Sequence, residues 1–125
     1  MSEWTTPGGV IEPYETPSDA AVLETWEETG LHVSLERVLG VFGGIHCGST
    51  YPNGDQVSWV AIVFMARPVG GMPRPDNDET KEARYFSRSE LETLPCTPHL
   101  RVSLEAERMG ALQAVFQPAR WKPNS

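Results

Sequence analysis

The chain reads as an α/β protein, a mixed sheet with helices on its faces, and three observations point there. A capped helix is legible between Pro17 and Gly30. Alternating apolar residues broken by turn signals run from His32 to Arg67. Apolar residues at helical spacing then recur from His99 to Phe116.

The first helix has a start and a stop. Ser18 reads as its N-cap, with Pro17 ahead of it and Asp19 in the first turn, and Gly30 stands where a helix ends in the left-handed conformation. Val22 and Trp26, four apart, mark the side expected to pack inward, which sends Glu24, Glu27 and Glu28 to the other side. Ahead of the helix, Pro7-Gly8-Gly9 allows a tight turn, and Glu12 and Glu15 lie in the loop between.

The remaining elements follow in order. His32 to Ile45 is extended, with glycines that suggest bulges. Asn53-Gly54 signals a hairpin within a turn region from Cys47 to Asp55. Gln56 to Arg67 is the clearest strand, and its two apolar faces predict a central strand covered on both sides. Pro68 to Asp78 is a loop, Glu82 to Phe86 a further strand, and Ser87 to Leu94 a short helix. His99 to Phe116 is an amphipathic helix with Leu100, Leu104, Met109, Leu112 and Val115 inward. Pro118 to Ser125 reads as a frayed end.

Bulk properties bound the function. The 125 residues fit a single domain, 1–125, and the 39% hydrophobic content suffices for one core. A net charge of −7 argues against a polynucleotide or an anionic membrane as partner. It leaves a small phosphate compound open, because a metal ion can reverse the local field. Cys47 and Cys96 lack metal-ligand spacing and read as reduced thiols of a cytoplasmic protein. No signal peptide and no apolar run of membrane-spanning length is visible.

The chemistry concentrates in the first helix. Glu24, Glu27 and Glu28 are spaced i, i+3 and i+4, so they share a face. Like charges at that spacing repel, by a few tenths of a kcal/mol per pair. A hard divalent cation resolves the conflict. Mg²⁺ prefers oxygen ligands and is commonly shared between carboxylates and substrate phosphates. A carbonyl of the glycine turn could join them.

These residues resemble the Nudix box, Gx5Ex7REUxEExGU, where U is a bulky aliphatic residue. Gly9, Glu15, Glu24, Glu27, Glu28, Gly30 and Leu31 match in register. Weaker likeness extends through Tyr51 to Asp55, Phe64 to Arg67 and Glu79 to Phe86. The resemblance implies an α/β/α sandwich and a Mg²⁺- or Mn²⁺-dependent hydrolase of a nucleoside diphosphate linked to another group. It implies that Glu24, Glu27, Glu28 and the Gly8 carbonyl hold the metal, with one glutamate orienting or deprotonating the attacking water. Gly9, Glu15 and Gly30 would be supporting residues, and Glu79 or Glu82 a further acid from a loop distant from the box.

Three departures qualify what the resemblance implies. Leu23 replaces the arginine understood to hold the box glutamates, and leucine offers neither charge nor hydrogen bond. Thr25 replaces a bulky aliphatic. Only Met1 to Thr6 precede Pro7, where the family has strands that complete the sheet, and Trp4 looks like the end of the strand leading into the turn. A sheet lacking those strands favours edge pairing, hence a homodimer. Two alternatives to an active enzyme follow: a Nudix-fold nucleotide-binding protein without turnover, and a truncated remnant that folds as a paired dimer.

Other candidates have simpler readings. His46 and His99 are read as structural or exposed histidines before phosphate contacts. Tyr51 and Trp59 could stack on a base, and turn or core packing is the plainer assignment. Cys47 has no base placed beside it by sequence.

Overall fold

The computed structural model describes residues 3–44, 47–75, 82–108, 110 and 112–124, with the backbone alone at position 99. Helix α1 spans Pro17–Thr29. Its N-cap is Thr16, not Ser18: Thr16 is extended, and its hydroxyl accepts the Asp19 N–H at 3.0 Å. Pro17 then falls in the first turn, where its missing N–H costs nothing. At the other end Gly30 adopts φ 76°, and its N–H donates to the Trp26 carbonyl at 2.9 Å.

Strand β1 (Leu31–Phe42) follows directly and pairs antiparallel along its length with β4 (Ala61–Gly71). The ladder slips register between His32 and Val33, Leu35 and Arg37, and Val38 and Gly40. The last slip sits at a glycine, as bulges often do. The Phe42 ring lies over Gly40, so that a β-carbon there would be 2.6 Å from the ring edge. Between the two long strands, β2 (Gly48–Thr50) and β3 (Gln56–Ser58) form a separate hairpin. Asn53 and Gly54 shape its turn: the Asn53 side chain accepts the Asp55 N–H at 3.0 Å and Gly54 takes φ 93°.

Helix α2 (Arg88–Thr93) opens with a capping box, Ser87 and Glu90 each bonding the other's backbone N–H. Helix α3 spans Pro98–Arg108, and β5 (Val115–Phe116) adds to β1 in parallel at Gly40 and Val41. The main sheet is therefore mixed, ordered β4-β1-β5, with α1 and α3 both packed on β1. The fold is mixed α and β, as the sequence predicts. Among the described residues few side chains are buried: Val33, Leu39 and Phe42 from β1, Ala20 from α1, Ser103 and Ala106 from α3, and Cys47.

Five further expectations are corrected. Trp26 is exposed and Val22 only half-buried, whereas Ala20 is buried and Glu24, Thr25 and Glu28 are half-buried. Small Ala20 lets the helix approach closely, and the bulky Trp26 lies outside against Arg74, whose guanidinium carbon is 5.9 Å from the ring centre. The long helix stops at Arg108, where Gly110 in the left-handed region ends it. Leu112 lies beyond and is exposed, and Val115 belongs to β5. Residues 82–87 form no strand, and residues 68–71 extend β4 where a loop was expected. Finally, Gln56 to Arg67 is not one covered strand: it breaks at Trp59 and Val60, and β4 is at the edge of the described sheet. Its apolar side chains Ile62 and Val69 are exposed accordingly.

Two long-range ties position the ends. Trp4 forms an isolated parallel bridge with Cys96, donating its N–H to Pro95 and accepting from Thr97. Gln117 clasps Gly43, its side-chain amide accepting the Gly43 N–H at 2.8 Å and donating to the Gly43 carbonyl at 3.0 Å.

Candidate functional site

The site is built where α1 meets the turn that precedes it. The helix lays Glu24 and Glu28 against the backbone of Gly8 and Gly9. The Gly8 N–H donates to Oε2 of Glu28 at 2.8 Å. One residue on, a β-carbon at Gly9 would stand 2.6 Å from Cδ of Glu24 and 2.9 Å from each of its carboxylate oxygens. Two carboxylates one helical turn apart thus lie beside two successive residues of the glycine turn. Glu27 is on the exposed flank of the same helix.

The other sequence-predicted residues take clear places. Gly30 ends α1, and it does so in a crowded spot: a β-carbon there would be 2.8 Å from the Met72 carbonyl oxygen. Glu15 closes its own loop, its carboxylate accepting the Glu12 N–H at 3.0 Å while its N–H donates to the Glu12 carbonyl at 3.0 Å. Glu82 is exposed and stands 3.6 Å from Arg84. Glu79 and His46 lie outside the described residues, as does the His99 side chain.

The sequence reading missed a groove on the outer side of α1, lined by Glu15, Asp19, Val22, Leu23, Trp26 and His32. Leu23 lies in it, half-exposed. No local signal revealed this groove, because taking Trp26 as inward turned the helix the wrong way. Tyr51 and Trp59 are about half-exposed, so neither is core. Cys47 is buried and Cys96 half-buried, both as free thiols.

The donor set is all oxygen, which suits a hard cation and not a soft one. Among the described residues no three His, Cys, Asp or Glu side chains converge as a ready-made cage. A pair of carboxylates nevertheless fits Mg²⁺, which usually keeps several waters and completes its shell with substrate phosphates. Phosphate chemistry of this kind needs little more from a protein than charge placement and orientation.

The model of the NUDIX domain family matches residues 1–106 of the chain. The chain belongs to the Nudix family. It is similar to a MutT-like protein of Streptomyces ambofaciens, at 36% identity over 77 residues, which is 62% of this chain and 44% of that protein. It is similar to a human 8-oxo-dGDP phosphatase, at 34% over 93 residues, 72% of this chain and 25% of that one. It is 36% identical over 88 residues to the ADP-ribose pyrophosphatase of Methanocaldococcus jannaschii, covering 70% of this chain and 48% of that one. The Nudix chain spans less than half the length of each of these curated relatives. A solved NUDIX-family hydrolase from Clostridium perfringens shares the fold, with a TM-score of 0.59 over 81% of this chain and 77% of that one at 22% identity. No helix among the described residues of this Nudix chain is long and apolar enough to cross a membrane.

Proposed function

We propose that this chain is a divalent-metal-dependent pyrophosphohydrolase that cleaves the P–O–P bond of a nucleoside diphosphate linked to another group. The observation that carries the reading is the seating of Glu24 and Glu28 on the Gly8-Gly9 turn. Of two similar proteins, one is named for ADP-ribose, a nucleoside diphosphate linked to another group, and supports the substrate class; the other is named for 8-oxo-dGDP, a nucleoside diphosphate itself.

In this reading Glu24, Glu27, Glu28 and the Gly8 carbonyl would hold Mg²⁺ or Mn²⁺. Bound there, the ion supplies charge neutralisation on the diphosphate and acidifies water. Gly8 holds Glu28 through its N–H, Glu15 closes the loop ahead of α1, and Gly30 fixes the end of the helix. A glutamate, Glu24 or one from a later segment such as Glu79 or Glu82, orients the attacking water and takes its proton. The water oxygen bonds to one phosphorus as the bridging P–O bond breaks. The proton then passes to the departing phosphate. The remaining particulars of the proposal are a single domain over 1–125, a cytoplasmic location and a homodimer.

The test is release of phosphate or nucleoside monophosphate from a panel of nucleoside diphosphate derivatives, with Mg²⁺, with Mn²⁺ and with EDTA, beside Glu27→Gln and Glu28→Gln. Metal-dependent turnover lost in both variants supports the reading. Metal-dependent hydrolysis unchanged in Glu28→Gln refutes it.

A second reading, nucleotide binding without turnover, is favoured by Leu23. That residue lies half-exposed in the outer groove and brings neither charge nor hydrogen bond to the glutamates. A nucleotide that raises the melting temperature while no product appears would select it.

A further inference from the structure

Gly8 and Gly9 are adjacent, yet their surroundings differ. A β-carbon on Gly8 would meet nothing within 4 Å, whereas one on Gly9 would fall on the Glu24 carboxylate, 2.6 Å from Cδ and 2.9 Å from both oxygens. Gly9 does not occupy the left-handed region, so its backbone accepts any L-residue. Conformation therefore gives no reason for glycine at position 9; only the space does. The nearest atoms that a methyl would strike belong to the far end of a flexible side chain, not to backbone. A methyl at position 9 is accommodated by moving the Glu24 carboxylate, at little cost to the fold.

We propose that Gly9 is a positioning residue for Glu24: its bare α-carbon is the surface on which the carboxylate rests, and it sets where that carboxylate points. Gly8 acts on Glu28 through a hydrogen bond, and Gly9 acts on Glu24 by offering no side chain. Together the two glycines place the pair of carboxylates from one short backbone segment. The inference rests on the metal-dependent reading above, because it assigns Gly9 an effect on the metal through Glu24.

The experiment compares Gly9→Ala with the unmodified chain by Mn²⁺ binding, followed by electron paramagnetic resonance, and by thermal unfolding in EDTA. The same substitution is made in a Glu24→Ala background. Gly9→Ala is expected to weaken Mn²⁺ binding by about tenfold or more, the usual scale for disturbing a ligand's support. Its melting temperature in EDTA should stay within about 2 °C of the parent. In the Glu24→Ala background the added methyl should change Mn²⁺ binding by less than about twofold, since interacting sites are non-additive. Unchanged Mn²⁺ binding in Gly9→Ala overturns the inference. So does a full loss recurring without Glu24, or a large fall in melting temperature. If the unmodified chain itself binds no Mn²⁺, the hydrolase reading fails and this inference falls with it; if it binds and only Gly9→Ala is silent, the hydrolase reading stands.

Discussion

Gly30→Ala tests how α1 is anchored. Two costs add at this position. Gly30 has φ 76°, and an alanine held in the left-handed region costs about 1 kcal/mol. The new methyl would also sit 2.6 Å from Cγ of Arg74 and 2.8 Å from the Met72 carbonyl oxygen. The arginine can swing away. The carbonyl cannot move freely, because the segment is tied back two residues later by the Arg74 N–H to the Thr29 carbonyl at 2.6 Å. Overpacking of that kind costs about 1–3 kcal/mol. The sum, about 2–4 kcal/mol, is a large share of the stability of a domain of this size. It corresponds to a fall in melting temperature of roughly 10 °C. Urea unfolding followed by far-UV circular dichroism would measure it. Gly30→Asn separates the two costs, since asparagine tolerates the left-handed region but keeps the β-carbon. Asparagine should recover about 1 kcal/mol and no more. If Gly30→Asn is as stable as the parent, the close approach of Met72 plays no part and the reasoning is wrong.

Other predictions follow from single contacts. Phe42→Ala should cost about 3–5 kcal/mol in urea unfolding, because the ring is 4% exposed and leaves a cavity over Gly40. Tyr14 has φ 67° and a fully exposed side chain, so Tyr14→Gly should raise stability by up to about 1 kcal/mol; a destabilised variant would count against that backbone conformation. The paired guanidinium hydrogen bonds from Arg88 hold the Glu107 carboxyl below its ordinary range, and the Ser87 N–H does the same for Glu90. A carboxyl whose folded pKa lies below its unfolded one stabilises above the unfolded value, and that contribution is lost as pH falls through the folded value. Stability should therefore decline on the acid side of the carboxylate range, and Arg88→Ala should flatten part of that decline; an identical acid limb in the variant would refute the Arg88 assignment.

Local chemistry made much of the candidate site readable. The three glutamates, the glycines before them and the stop at Gly30 depend on spacing along one helix and one turn, and each is visible as a string of residues. The hairpin at Asn53-Gly54 was legible for the same reason. The cap was misplaced by two residues because Thr16 and Ser18 are both competent acceptors on either side of Pro17, and only the bond to Asp19 decides between them. The last helix was overrun because apolar residues keep their spacing past Gly110, and a lone glycine stops a helix only where the chain turns away.

The sequence by itself determined that this chain carries a capped helix bearing Glu24, Glu27 and Glu28 behind a glycine turn, and with it the family. Those are short-range relations, fixed by hydrogen bonding and periodicity within a few turns of chain. Tertiary structure alone decided which side of that helix faces inward. Val22 and Trp26 are the apolar choice by composition, yet the helix packs through Ala20 and sets Glu24 and Glu28 on Gly8 and Gly9. It also decided that β4 lies at the edge of the described sheet, since an apolar strand reads the same whether a neighbour covers it or not. Facing and neighbourhood depend on the volumes and hydrogen bonds of residues distant in the chain, and no local pattern contains them.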